Sequence, residues 1–224
     1  MQKELRFHGR VTRKIKFRSL LYLPKDYEIV GGKRWPLLCF LHGAGERGND
    51  LTLVAKHGPP KLVAQKKEFP FIIVSPQCPL GQIWDDAALL ALLDHLIARF
   101  RIDICRVYLT GLSMGGYGTW SLGLKYPERF AGIAPVCGGG SSADILLASQ
   151  TKSRALRSLA VWAFHGAKDT VVPPAESKVM VAALKKAGCH NVTLTLYPRI
   201  GHDAHTETYN NPKLYEWFLS HRRL

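Results

Sequence analysis

The stretch G-L-S-M-G-G at 111–116 places Ser113 between Gly111 and Gly115, a Gly-x-Ser-x-Gly pattern. A serine hydroxyl attacks a carbonyl carbon only when something raises it clear of its surroundings and takes its proton. This spacing suits a sharp, strained turn between a strand and a helix, where side chains at the two glycine positions would collide with neighbouring elements. A helix starting at Met114 brings partial positive charge to its first turn, and the Met114 N–H becomes a donor for a developing oxyanion. The plain alternative is a glycine-rich turn with an idle serine. The apolar run Val107–Thr110 before it and the helical pattern Met114–Tyr126 after it favour the nucleophile.

A serine nucleophile needs a general base and a group that orients the base. Where the serine stands on such a turn, the chain order is serine, then acid, then histidine. H-G-A-K-D at 165–169 follows the apolar run Ala160–Phe164 and supplies Asp169, the favoured acid. Asp144 is the rival, reached through the glycine-rich loop after Gly132–Val136, where a helix start offers it a capping role. For the base, Y-P-R-I-G-H-D-A-H at 197–205 follows Val192–Tyr197 and offers His202 and His205. Gly201 permits a tight turn that returns His202 toward the sheet, so His202 is favoured over His205. His42, His165 and the remaining histidines read as turn or surface residues.

L-H-G-A-G-E-R-G at 41–48 follows the run Leu37–Leu41, where a second oxyanion donor is expected, and Ala44 N–H is the candidate. The loop lacks the Gly-Lys-Ser/Thr ending of a phosphate-binding loop, and no helix is expected directly after it.

These groups need a scaffold that brings chain ends to one edge. Runs of four to six apolar residues suit strands buried on both faces: Leu37–Leu41, Phe71–Val74, Val107–Thr110, Gly132–Val136, Ala160–Phe164 and Val192–Tyr197. Lys14–Leu23 reads as an earlier, alternating strand, free to run antiparallel because no helix separates it from the next. Helical patterns fall at Asp85–Phe100, Met114–Tyr126, Pro174–Ala187 and Tyr209–His221. Alternating strands and helices predict an α/β fold with a mostly parallel sheet, and no linker divides residues 1–224 into more than one domain.

Composition narrows the class further. With 46% apolar and 21% charged residues among 224, the chain has a globular composition. No apolar run approaches the ~20 residues that span a bilayer. The basic N-terminus carries no apolar signal core. Cys39, Cys78, Cys105, Cys137 and Cys189 lie far apart without metal-ligand spacing. Scattered thiols fit a reducing, cytoplasmic compartment, or a secreted one had a signal peptide been trimmed. The net charge is +14, from 31 Lys and Arg against 17 Asp and Glu. Lys3, Arg6, Arg10, Arg13, Lys14, Lys16 and Arg18 lie at or before the first strand and ahead of the first catalytic loop, and are expected to lie remote from the catalytic edge.

Taken in order, L-H-G-A-G-E-R-G, S-P-Q-C-P, G-L-S-M-G-G-Y-G-T-W, H-G-A-K-D-T-V-V-P and G-H-D-A-H resemble the α/β-hydrolase superfamily. The likeness is to its phospholipase/carboxylesterase and predicted-peptidase branch, near feruloyl-esterase and polyhydroxybutyrate-depolymerase-like esterases, and runs from about Leu20 to Trp217. The resemblance implies a sheet of about eight strands with helices on both faces. It also implies a Ser113–Asp169–His202 triad, oxyanion donors Ala44 and Met114, and serine carboxylesterase action on small or aryl esters. Related dienelactone hydrolases carry cysteine at the nucleophile position; here it is Ser113.

The stretch Cys137–Leu159 is too short for a large cap domain. Gln82, Trp84 and Tyr117 are candidate pocket residues. A small-molecule ester is the expected partner, with no cofactor, metal or specific nucleic acid. Two other readings stay open: an idle member of the fold that binds polyanions through its basic surface, and a serine peptidase of the same fold.

Overall fold

The computed structural model describes residues 2–10, 12–16 and 18–223. Its centre is a seven-stranded sheet in the order β1-β3-β2-β4-β5-β6-β7, one strand fewer among the described residues than the resemblance implies. The strands are β1 (Ser19–Tyr22), β2 (Trp35–Leu41), β3 (Ile72–Pro76), β4 (Ile102–Leu112), β5 (Gly132–Val136), β6 (Ala160–Gly166) and β7 (Val192–Tyr197). Only β1 is antiparallel, to β3, with Ser19 opposite Pro76. The others run parallel. The antiparallel strand is shorter than the expected Lys14–Leu23, within which Phe17 lies outside the described residues.

The all-buried sequence W-P-L-L-C-F-L of β2 explains why a sheet covered on both sides forms. Leu37, Cys39 and Leu41 enter one core while Leu38 and Phe40 enter the other, the period of two that a strand imposes. The first core is closed by α3 (Asp86–Arg99), α4 (Met114–Lys125), α5 (Ser142–Thr151), α6 (Ser153–Ser158) and α7 (Ala175–Lys186), through residues such as Leu89, Trp120, Ile145, Leu156 and Met180. On the other side lie α2 (Gly58–Ala64), α8 (Ala204–Asn210) and α9 (Pro212–Ser220), through Leu62, Ala204, Leu214 and Phe218. A further single turn, α1 (Leu51–Val54), follows the loop after β2.

Two boundaries differ from the sequence expectation for definite reasons. The single C-terminal helix expected over 209–221 is two helices. Pro212 cannot donate an N–H, so it opens α9 at its first turn, while the Asn211 side chain accepts from Lys213 N–H. Strand β4 begins at Ile102 rather than Val107, because its half-exposed N-terminal end still pairs with Trp35. The stretch between β5 and β6 forms only α5 and α6, with no larger cap inserted.

The chain runs outward from β2 to β3 and then returns across the sheet to β4. Loops leaving β2 and β4 therefore part at a topological switch point, which opens a crevice at the carboxyl ends of these strands. Leu41 pairs with Gly111 there, so the loop starting at His42 and the turn carrying Ser113 leave the sheet side by side.

Candidate active site

Ser113 sits between the end of β4 and the start of α4 with φ 53° and ψ −116°. A non-glycine residue in this region carries roughly 1–3 kcal/mol of backbone strain, sustained by the surrounding structure. The surroundings are tight. A Cβ on Gly115 would lie 2.0 Å from the Leu41 carbonyl oxygen, and one on Gly111 would lie 2.4 Å from the Gly115 oxygen. These two glycines let the turn press against the end of β2. The Ser113 N–H donates to the Val136 carbonyl at 2.9 Å, tying the turn to β5.

His202, on the loop after β7, places Nε2 3.0 Å from Ser113 Oγ and Nδ1 2.8 Å from Asp169 Oδ2. Asp169 follows β6. Its other oxygen accepts from the N–H groups of Val171 and Val172, each at 2.9 Å. Burial by itself would raise this carboxyl. The hydrogen bonds from His202, Val172 and Val171 outweigh it and hold Asp169 below the usual carboxylate range. The three side chains thus form one hydrogen-bonded line: hydroxyl, imidazole, carboxylate.

His205 lies elsewhere, its Nε2 3.1 Å from His57 Nδ1 and 3.1 Å from Asp203 Oδ1. Burial, then the neighbouring His57, lowers its pKa. Asp144 lies in the first turn of α5.

The loop after β2 is held from several sides. His42 is buried, not the turn or surface residue expected of it, because its ring is enclosed between this loop and the chain that follows β3. Cys78 N–H donates to His42 Nε2 at 3.0 Å, so that nitrogen carries no proton. Nδ1–H then donates to the Gly43 carbonyl at 2.6 Å. This carbonyl shares a planar trans peptide with the Ala44 N–H, which consequently points the opposite way. Trp84 Nε1–H donates to the His42 carbonyl at 3.1 Å, and the two rings meet edge to face at 4.8 Å. Gln77 Nε2 donates to the carbonyls of Glu46 and Asp50, at 2.9 and 2.7 Å. A Cβ on Gly43 would meet Leu112 Cδ1 at 2.8 Å, so the loop also rests on the residue before Ser113. Ala44 begins a single 3-10 turn, Ala44–Glu46. Met114 N–H, in the first turn of α4, has no carbonyl within the helix to bond.

Sequence reading overlooked Gln77 and the bonding roles of His42 and Trp84. Gln77 leaves a trace only in the S-P-Q-C-P motif, and its bond to the Glu46 carbonyl, thirty-one residues away, is a tertiary fact. His165 likewise differs from the turn or surface position expected of it. It is fully buried, donates from Nε2 to the Val172 carbonyl at 2.9 Å, and sits 3.3 Å from Asp169 Oδ2.

Trp84 and Tyr117, with Ile83, Met114, Gly118 and Ser121, line an apolar cavity of about 460 Å³ beside the turn that carries Ser113. Gln82 is not among its lining residues. It lines an adjoining cavity of about 1080 Å³, bounded on the other side by Arg13, Lys14, Ile15 and Lys16. Part of the basic N-terminal cluster therefore lines a cavity that adjoins the one beside the Ser113 turn. The Arg13 guanidinium bonds Asp85 at 2.9 Å and draws the segment across the start of α3.

Cys137, His165 and Asp169 form the one group among the described residues with three metal-ligand atoms within 4.8 Å of one another. Burial pushes the Cys137 thiol up to about 12. A metal ion there would have to compete with the bonds that Asp169 makes to His202, Val171 and Val172. No described helix is long and apolar enough to cross a membrane.

Comparison with known proteins agrees with this architecture. A 31% identical thermostable esterase of known crystal structure superposes with a TM-score of 0.75, covering 92% of this chain and 59% of the other. A ferulic acid esterase structure shares the fold at 19% identity and a TM-score of 0.69, over 89% of this chain and 92% of its own. Feruloyl esterase B of Neurospora crassa is 27% identical over 143 residues, 54% of this chain and 47% of that protein. Poly(3-hydroxyalkanoate) depolymerase C of Paucimonas lemoignei is 46% identical over 48 residues, 21% of this chain and 12% of the relative. The matched stretches thus span less than half the length of both curated relatives. The sequence profile of the phospholipase/carboxylesterase family matches residues 85–212, more than half of the chain. With an esterase-type fold around that match, this chain belongs to the phospholipase/carboxylesterase family of α/β-hydrolases.

Proposed function

We propose that the protein is a serine carboxylesterase that hydrolyses small or aryl carboxylic esters through an acyl-enzyme. The observation that carries this reading is the line from Ser113 Oγ to His202 Nε2 at 3.0 Å and from His202 Nδ1 to Asp169 Oδ2 at 2.8 Å. The Asp169 carboxylate accepts a hydrogen bond from His202 Nδ1–H, which keeps that proton on Nδ1 and leaves Nε2 free to act as base. As Ser113 Oγ bonds to the ester carbonyl carbon, its proton passes to His202 Nε2. The carbonyl oxygen becomes an oxyanion and takes hydrogen bonds from the N–H groups of Ala44 and Met114. Collapse breaks the bond to the alcohol oxygen, which leaves with the proton from His202. A water molecule then attacks the acyl-enzyme, giving its proton to His202. Collapse returns that proton to Ser113 Oγ and releases the carboxylic acid.

The apolar cavity lined by Trp84, Met114 and Tyr117 suits the acyl group. Because the similar proteins include feruloyl esterases, hydroxycinnamoyl esters are the first aryl substrates to try. Hydrolysis of p-nitrophenyl and hydroxycinnamoyl esters by the purified protein, lost in Ser113→Ala, tests the proposal. A serine-directed fluorophosphonate should label Ser113 and leave the variant unlabelled. Turnover retained by folded Ser113→Ala would require another nucleophile.

A further inference from the structure

Asp169 meets a second imidazole that the reaction does not use. His165, near the end of β6, is fully buried. Its Nε2 faces two acceptors, the Val172 carbonyl at 2.9 Å and Asp169 Oδ2 at 3.3 Å, so Nε2 carries a proton. Oδ2 is also the oxygen that accepts from His202 Nδ1–H at 2.8 Å. One carboxylate oxygen thus lies against two imidazoles, His202 partly exposed and His165 enclosed.

The ring of His165 has little freedom. Ser177 Oγ, in α7, lies 2.8 Å from Nδ1 and 2.9 Å from the Gly138 carbonyl oxygen, on the loop after β5. Ser177 is itself fully buried. Nε2–H is thereby aimed at Val172. The N–H of that same residue donates to Asp169 Oδ1 at 2.9 Å, beside the N–H of Val171. His165 therefore acts on both oxygens of the acid. It reaches Oδ2 through the positive edge of its N–H, and Oδ1 through the turn that supplies two donors. The loop of His202 is tethered separately. Lys168 N–H donates to the Ile200 carbonyl at 2.9 Å, and a Cβ on Gly166 would lie 1.9 Å from the Gly201 oxygen.

We propose that His165 is a positioning residue for the catalytic acid: its Nε2–H, and the Val172 turn that it anchors, hold the Asp169 carboxylate in line with His202. The proposal rests on the esterase reading of Ser113, His202 and Asp169, and adds to it a residue that acts only through the acid. A carboxylate released from one fixed neighbour can tilt, and a displacement of about 1 Å at a reacting centre costs about a hundredfold in rate.

The test is a double-mutant cycle read by kcat and KM on a p-nitrophenyl ester, with folding followed by circular dichroism and urea midpoints. Leucine at position 165 fills the core without an N–H, whereas glutamine places an amide N–H near the position of Nε2. His165→Leu should lower kcat by about a hundredfold and leave KM within about twofold. His165→Gln should recover at least about tenfold of that loss, since it keeps the donor to Val172. Asp169→Asn lowers kcat by about ten-thousandfold, and adding His165→Leu to it should cost less than about twofold more, because both changes act on one carboxylate.

A folded His165→Leu variant with kcat within about threefold of wild type overturns the proposal, as does a glutamine variant no better than leucine. A full hundredfold loss in the Asp169→Asn background also overturns it, because His165 would then act by general packing. If leucine yields no folded protein, the same cycle is run with Ser177→Ala, which frees Nδ1; a drop of about tenfold, absent beside Asp169→Asn, supports the proposal, and an unchanged kcat overturns it. The esterase reading is scored separately, on ester hydrolysis by the wild type and its loss in Ser113→Ala.

Discussion

Replacing His42 by phenylalanine tests whether the loop after β2 works as an oxyanion support. Phenylalanine keeps a ring against Trp84 but removes both ring nitrogens. Two buried hydrogen bonds disappear, one from Cys78 N–H at 3.0 Å and one to the Gly43 carbonyl at 2.6 Å. Each buried group left without a partner costs about 1–3 kcal/mol, so stability should fall by roughly 2–6 kcal/mol. Catalysis should suffer in a distinctive way. With its Gly43 carbonyl released, the peptide that carries the Ala44 N–H is free to rotate. Loss of one oxyanion donor costs about a hundredfold to a thousandfold in kcat. KM should move little, because the donor acts mainly in the transition state.

The same substitution has a pH signature. Burial lowers the His42 pKa below its ordinary value. In the window between the lowered and the ordinary value, about 6.5, the unfolded chain binds a proton that the folded chain does not. His42 therefore contributes stability above that ordinary value and loses it as the pH falls toward the lowered one. In His42→Phe this share of the acid destabilisation should vanish, while the share from His205, also lowered, persists. Urea midpoints from pH 7.5 to 5, alongside kcat and KM on a p-nitrophenyl ester, provide both readouts, over a range that spans the ordinary histidine value of about 6.5. A folded variant whose kcat stays within about threefold of wild type would refute the oxyanion-support argument, since even the weaker donor effects are about a hundredfold.

His202→Ala should reduce turnover by several orders of magnitude and His205→Ala far less, because only His202 reaches Ser113; equal losses in steady-state rates would leave the base unassigned. Asp169→Asn should lower kcat by about ten-thousandfold by favouring the wrong imidazole tautomer, whereas Asp144→Asn, in the first turn of α5, should stay near wild type; the reverse order in the same assay would move the acid to the loop after β5. Gly115→Ala should leave little folded protein by circular dichroism, since its Cβ would lie 2.0 Å from the Leu41 oxygen and backbone must move to admit it; a stable, fully active variant would show that the turn relaxes at low cost.

Much of this architecture is legible in the chain because its signals are local. Gly-x-Ser-x-Gly announces a strained turn through the residues that permit it, and continuous apolar runs announce strands that have no exposed face. The order of serine, acid and histidine restricts candidates to a few segments, and it favours Asp169 and His202 from the sequence alone. Chain spacing alone left Asp144 and His205 as rivals, because each follows a strand within a few residues of the expected position. Tertiary packing separated them geometrically: the turn at Gly201 brings His202 to Asp169, while α8 carries His205 toward His57.

The polar network behind the site was not legible for a different reason. His42, Gln77, Trp84 and His165 make bonds whose partners are set by which strands lie adjacent, and a single histidine in a sequence looks the same whether buried or exposed. Parallel pairing of β3 with β2 brings Cys78 to His42, and the return of the chain across β2 to β4 opens the crevice. The course of the basic N-terminal segment was decided the same way. Composition supplied its charge, but bonds to distant residues, from Arg13 to Asp85 and from the Gln77 N–H to the Arg18 carbonyl, laid Lys14 and Lys16 along the cavity. Local backbone preference and hydrophobic pattern are properties of neighbouring residues and can be read in order. Burial of a polar side chain and the meeting of distant charges are properties of the folded whole, settled only once the sheet has chosen its strand order.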